Sequence, residues 1–221
     1  MDTSRCCSAP ATVNATTPPP SATSWSAESG EAPAGWPEVR RWRRERRAAL
    51  IAARVAAGPR RRAAWDAAIT AQILEGVPNL ERLVVGFYWP FKGEYDVRPL
   101  ARQLHARGAR LALPVVVEKN RPLAFRAWTP DAKLVPGIWN IPVPADGPEI
   151  APDALIVPLV GFDGDRFRLG YGGGYYDRTL ASRPRKPLTI GVGFELSVLP
   201  TIYPQPHDVP MDAVVTEQRF I

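Results

Sequence analysis

The sequence predicts a single α/β domain with a mostly parallel, twisted sheet and helices on both faces, Rossmann-like, behind a disordered N-terminal tail. Three observations predict it. Apolar runs of strand length recur at 82–89 (RLVVGFYW), 109–117 (ARLALPVVV), 154–160 (ALIVPLV) and 188–194 (LTIGVGF). The first two flank a helical stretch, and a strand–helix–strand order favours parallel pairing because the chain must cross back. Residues 1–38 show neither period: Ala, Ser, Thr and Pro dominate, with the run Pro18-Pro19-Pro20. Such a segment buries too little apolar surface to offset the entropy of ordering. The division is therefore a tail at 1–38 and a domain at 39–221.

Taken in order, 39–57 reads as a helix rich in Ala and Arg that stops at Gly58-Pro59. A second helix covers 60–75, where Trp65, Ile69 and Ile73 form an apolar stripe, and Gly76 and Pro78 end it. After the strand at 82–89 comes a loop from Pro90 to Tyr95. Asp96 can cap a helix that carries Pro99 in its first turn, where proline is tolerated, and Gly108 closes it. The strand at 109–117 follows. Lys119-Asn120-Arg121-Pro122 reads as a turn to an antiparallel strand at 123–128. The stretch 129–152 holds eight prolines and glycines and reads as a long irregular segment with little room for regular structure; loops of that length are usually functional. The strand at 154–160, a glycine-rich loop, a short helix near 175–182 and strands at 188–194 and 213–216 complete the α/β pattern.

Composition removes several function classes. No apolar run is long enough to span a bilayer, and the N-terminus lacks the apolar stretch of a secretory signal, so a cytoplasmic protein is expected. The two cysteines, Cys6 and Cys7, are adjacent, which excludes a disulfide framework or a cysteine zinc site. Net charge is +6, yet residues 40–62 hold ten arginines against one glutamate, so the rest of the chain sums to −3. The basicity belongs to one segment, which argues against a nucleic-acid-binding domain.

The densest chemical signal is Arg168-Leu169-Gly170-Tyr171-Gly172-Gly173-Gly174-Tyr175-Tyr176-Asp177-Arg178, between a buried strand and a helix. Glycines there let backbone amides approach an anion, and the helix N-terminus adds a favourable dipole. No Gly-Lys-Ser/Thr follows. The same residues also suit a tight strand-to-helix turn with no ligand.

This run resembles that of the 5-formyltetrahydrofolate cyclo-ligase family, in which a Phe-Asp turn precedes Arg-Leu-Gly-x-Gly-x-Gly-Tyr/Phe-Tyr-Asp. Here Gly161-Phe162-Asp163 precedes 168–177. Further pieces follow in collinear order over roughly 40–217: Glu94 after the first strand, Trp139-Asn140-Ile141-Pro142-x-Pro144, His207-Asp208, Met211-Asp212 and Val215-Thr216-Glu217. The resemblance implies a single α/β domain that uses MgATP to convert 5-formyltetrahydrofolate into 5,10-methenyltetrahydrofolate, releasing ADP and phosphate. The formyl oxygen would attack the γ-phosphate, and the anilino nitrogen would then close the ring.

Roles follow from the resemblance residue by residue. ATP would be bound by Arg168, Gly170, Gly172, Gly173, Gly174, Tyr175, Tyr176 and Asp177, with Arg168 and Tyr175 catalytic. Asp177 and Asp208 would hold Mg2+, an ion that prefers oxygen ligands. Trp89, Glu94, Trp139, Tyr175 and Tyr176 would bind the folate, with Glu94 accepting pterin N–H groups and the rings stacking. Each also has a plain structural account: a helix first-turn acid, a turn residue between prolines, a solvated loop acid, a core ring. The family's N-terminal helix carries a Lys-x-x-Leu-Arg pattern that meets ATP. No lysine precedes Lys92 here, and Arg40 and Arg44 are the nearest equivalents. Arginine keeps the charge and binds phosphate through two donors. The expected partner is the small folate, in a monomer without nucleic acid or membrane. The alternatives are a nucleotide-binding homologue with another substrate and a nucleic-acid module built on the arginine helix.

Overall fold

The computed structural model describes residues 35–221, which cluster as one unit, Gly35–Ile221. The expected tail therefore lies outside the described residues except for its last positions.

Helix α1, Trp36–Ala56, starts three residues before the expected boundary, with Pro37 in its first turn, where a proline costs no hydrogen bond. Helix α2, Pro59–Gly76, follows Gly58, whose φ of 78° lets the chain turn sharply. Strand β1, Val84–Gly86, leads through a loop to α3, Arg98–Ala106. Asp96 acts one position outside the expected cap: its Oδ1 accepts the Arg98 N–H at 3.1 Å. Strands β2, Arg110–Val115, and β3, Ala124–Trp128, form the expected antiparallel pair.

The proline-rich stretch departs from expectation. Strands β4, Leu134–Pro136, and β5, Pro142–Pro144, pair as a hairpin. Its ladder bonds run from Gly137 N–H to the Ile141 carbonyl and from Ala145 N–H to the Lys133 carbonyl, both at 2.9 Å. Antiparallel pairs alternate between bonded and non-bonded positions, which places Pro136, Pro142 and Pro144 at the non-bonded ones, where a missing N–H is harmless. Then come β6, Ala154–Pro158, and a small hairpin of β7, Gly161–Phe162, and β8, Arg168–Leu169. Helix α4, Tyr175–Ser182, and strands β9, Leu188–Val192, and β10, Ala213–Val215, finish the chain.

The main sheet has the order β10-β9-β6-β1-β2-β3, parallel except for β3. Alternate side chains serve its two faces. Val85, Leu111, Leu113, Ile156, Ile190 and Val215 pack with Ile69 and Ile73 of α2 and Leu100 and Leu104 of α3. Ala112, Leu155, Val157 and Val214 pack with Leu180 of α4 on the other side. Fully burying one such side chain contributes about 1.5–3 kcal/mol, so the two layers pin the strand register. The chain moves to one side from β1 (to β2) and to the other from β6 (to β9). The loops after these two adjacent strands diverge, and the crevice between them is where open α/β sheets place ligands. Helix α1 lies at this end, with Leu50 packed on Val160, Leu169 and Leu199. Among the described residues no helix is long and apolar enough to cross a membrane.

Candidate functional site

The glycine-rich loop leaves the β7–β8 hairpin. Asp163 fixes that hairpin from inside: Oδ1 accepts the Phe167 N–H and Oδ2 the Ile202 N–H, each at 3.0 Å. Gly172 and Gly174 take φ of 92° and 63°, conformations that favour glycine. A Cβ on Gly170 would stand 2.5 Å from the Arg168 guanidinium, so a larger residue there would displace that side chain. The loop's carbonyls are clamped from behind: Arg47 Nε donates to Gly170 at 2.6 Å, and Arg178 Nη2 donates to Gly173. Among the described residues the N–H groups of 171–174 donate to nothing, and Tyr171, Gly172 and Gly173 are exposed. Free amides in front of cation-held carbonyls are the geometry that can receive an anion, unlike a turn closed on itself.

Helix α1 supplies the surrounding charge from one face. Val39, Arg43, Leu50 and Arg54 are its buried residues, and Arg47 lies on the same stripe. Arg43 donates to the Ile202 and Tyr203 carbonyls at 3.0 and 2.9 Å and pairs with Asp208 Oδ2 at 2.5 Å. Burial works to raise the Asp208 carboxyl, but the Arg43 hydrogen bond and the Gln205 N–H outweigh it and hold it below the usual range. Burial and the like charge of Arg43 together lower Arg47, so an arriving anion would relieve both guanidiniums. Arg168, itself buried, pairs with Asp177 Oδ2 at 2.7 Å and lies 5.4 Å over the Tyr176 ring. The Val209 N–H reaches Asp177 Oδ1 at 3.4 Å, which brings the two expected metal acids to one place.

Each of those acids has one oxygen committed to an arginine and one held loosely, Asp177 Oδ1 at 3.4 Å and Asp208 Oδ1 at 3.5 Å from Arg43 Nη1. Among the described residues no group of three or more His, Cys, Asp or Glu side chains could hold a metal. Two half-free carboxylates suit a hard cation that brings phosphates and waters as its other ligands, not a dedicated protein cage.

Glu94 follows β1 and is buried, 8 % exposed. Its Oε2 accepts the Phe91 N–H at 2.8 Å, while Oε1 has no hydrogen-bond partner and lies 3.8 Å from Arg54 Nη2. Burial pushes its carboxyl up to about 7, against the opposing pull of Arg54, the Phe91 N–H and the Tyr171 hydroxyl. Tyr171 belongs to the glycine loop and accepts from Arg54 Nη2 at 2.5 Å, so the two loops meet through that arginine.

Aromatic rings border the crevice. Trp139, 62 % exposed, sits at the tip of the β4–β5 hairpin with a left-handed φ of 56° and meets Tyr175 edge-on at 5.8 Å. The other side of Tyr175 faces the Arg178 guanidinium at 5.2 Å. Trp89 is half-buried on the loop after β1 under Arg98, 5.4 Å away, which is itself paired to Asp96 at 2.7 Å.

The structure thus brings together Arg168, the glycines, Tyr175, Tyr176, Asp177 and Asp208, links Glu94 to them through Tyr171, and places Trp89 and Trp139 at the margins. Arg40 and Arg44 are exposed and stand outside the cluster. Arg43, Arg47 and Arg54 hold the inward positions and were missed. Their spacing of four and seven, in phase with Val39 and Leu50, was the available signal. A separate hollow of about 330 Å³, lined by His105, Arg110 and Trp128 among others, opens at the opposite end of β2 and contains none of the site residues.

Comparison with known proteins agrees with this geometry. The model of the 5-formyltetrahydrofolate cyclo-ligase family matches residues 39–217. The 5-formyltetrahydrofolate cyclo-ligase of Escherichia coli is 35% identical over 142 residues, 61% of this chain and 78% of that protein. The Haemophilus influenzae enzyme of the same name is 28% identical over 153 residues, 66% of this chain and 82% of that protein. The NMR structure of Aquifex aeolicus 5,10-methenyltetrahydrofolate synthetase superposes with a TM-score of 0.69 at 28% identity, covering 80% of this chain and 91% of that one. The chain belongs to the 5-formyltetrahydrofolate cyclo-ligase family.

Proposed function

We propose that this family member couples ATP cleavage to ring closure of 5-formyltetrahydrofolate, yielding 5,10-methenyltetrahydrofolate, ADP and phosphate. The observation that carries the reading is the anion cradle at 170–174 sharing Arg54 with the buried acceptor Glu94, in a chain matched by the family over 39–217.

An amide oxygen leaves poorly, so the formyl oxygen must first be phosphorylated. It attacks the γ-phosphorus, ADP departs, the anilino nitrogen adds to the activated carbon and loses its proton, and phosphate leaves. Such phosphoryl transfer needs alignment and charge neutralisation more than covalent help. The amides of 172–174 and the guanidiniums of Arg43, Arg47 and Arg168 supply donors aimed at the terminal phosphates. Asp177 and Asp208 would hold Mg2+, which adds charge neutralisation on the phosphate oxygens. Glu94 Oε1, unsatisfied in the free protein, accepts pterin N–H groups, and Trp139 and Tyr175 provide flat apolar walls. We read the enzyme as a cytoplasmic monomer whose partner is the folate.

The test is direct. With 5-formyltetrahydrofolate and MgATP the purified chain should form the methenyl chromophore and release one ADP per product. Folded protein that binds MgATP but gives neither would point to a homologue with another substrate.

A further inference from the structure

We infer that Arg54 is the positioning residue of the folate side: it orients and charges Glu94 without bonding to it, and ties that carboxylate to the glycine loop through Tyr171. The inference rests on the proposed function for what Glu94 binds, but not for what Arg54 does to Glu94.

Arg54 is 3 % exposed. Burying a guanidinium costs several kcal/mol unless it is well paired, so its partners must explain it. They are the carbonyls of Lys92 at 3.0 Å, Leu159 at 3.3 Å and Phe91 at 3.5 Å, plus the Tyr171 hydroxyl at 2.5 Å. These atoms come from the loop after β1, the end of β6 and the glycine loop, the three walls of the crevice. Neutral side chains could join those walls. A cation is needed only because a carboxylate lies 3.8 Å away, beyond hydrogen-bond range, with Oε1 unsatisfied. A direct bond would occupy the lone pairs that a substrate N–H must reach; a gap leaves them open while keeping the attraction between opposite charges.

The other groups facing Glu94 do not supply that charge. Tyr88 on its own loop, Tyr171 from the glycine loop and Tyr176 from α4 are all pushed above the usual phenol range by burial and stay neutral. Lys92 lies 5.1 Å from the Phe91 ring, and Arg62 Nη1 is bound to the carbonyls of Arg54 and Val55. Without Arg54, burial would keep Glu94 protonated at neutral pH, and a neutral carboxyl offers a donor where the pterin needs an acceptor.

The experiment compares wild type, Arg54→Lys and Arg54→Met. Glu94 is titrated by carboxyl-labelled NMR without ligands, and kcat/KM for 5-formyltetrahydrofolate is followed from pH 5.5 to about 9, a range spanning the carboxyl's shift. In Arg54→Met the Glu94 titration and the acid limb of kcat/KM should both move up by about one pH unit, the effect of losing an opposite charge at this range. Arg54→Lys should restore most of that shift. At pH 7 the Met variant should raise the folate KM about tenfold, a larger effect than on kcat at saturating folate or on MgATP affinity. If Arg54→Met does not fold, Arg54→Lys carries the test alone: it keeps the charge on a shorter reach, so its titration should move by less than half a unit while the folate KM rises about threefold. An unchanged Glu94 titration in folded Arg54→Met, or equal loss of MgATP and folate binding, would overturn the inference. Absence of any folate turnover in wild type with the NMR shift intact would instead remove the proposed function and leave the Arg54–Glu94 coupling standing.

Discussion

The two halves of the crevice treat charge in opposite ways. On the glycine-loop side two acids each meet an arginine: Asp208 with Arg43 at 2.5 Å and Asp177 with Arg168 at 2.7 Å. Asp208 is accordingly held ionised to low pH. On the other side Glu94 is more deeply buried and keeps its cation at 3.8 Å, and burial raises its carboxyl to about 7. Phosphate binding and folate binding ask for different things. A highly charged ligand needs a field that does not vary with pH, which paired ions supply. A pterin edge needs one well-aimed acceptor with free lone pairs, and burying such a group unsatisfied has a stability cost.

The sharpest way to break this contrast is Arg168→Ala. It removes a cation proposed to face the terminal phosphates and strands Asp177, and turnover at saturating substrates should fall about a thousandfold. A loss below tenfold in steady-state kinetics would make that pair structural only. Next, Glu94→Gln should raise the folate KM about a hundredfold at pH 8 while leaving MgATP affinity, read by calorimetry, within twofold. The same variant should also be more stable. A carboxyl whose folded value is raised favours folding while protonated, below its unfolded value near 4.5, and loses that contribution as pH rises through about 7. Urea denaturation should therefore show Glu94→Gln ~3 kcal/mol more stable than wild type at pH 8, with the difference nearly gone at pH 4.5. Equal stability at pH 8 would mean Glu94 is not strained. The smallest effect is expected at Trp139→Ala, a fewfold rise in folate KM alone, since its ring is mostly exposed and touches one neighbour, Tyr175.

Much of the fold was legible. Strands β1, β2, β6, β9 and β10 lie inside the apolar runs read from the sequence, because a strand buried on both faces needs an unbroken run of such residues. The β4–β5 hairpin was not legible: proline content argued against it, and only the ladder register reveals that the three prolines fall where no N–H is needed. The glycine loop, Asp177, Asp208 and Glu94 stand out in the sequence through a motif that resembles the family's, and the structure joins Glu94 to the loop across Arg54. The arginines were not. Choosing Arg40 and Arg44 followed motif proximity, whereas the structure turns Arg43, Arg47 and Arg54 inward, in phase with Val39 and Leu50.

Sequence alone determined the α/β class, the strand order along the chain and the place of the glycine-rich loop, since hydrophobic period and glycine backbone freedom are local properties. Only the tertiary structure decided which of the α1 arginines are buried and that Glu94 faces one of them across a gap. Those outcomes depend on which surfaces meet when α1 closes over the ends of β1 and β6: the phase of Val39 and Leu50 hints at the buried face of α1 but not at what its arginines meet there.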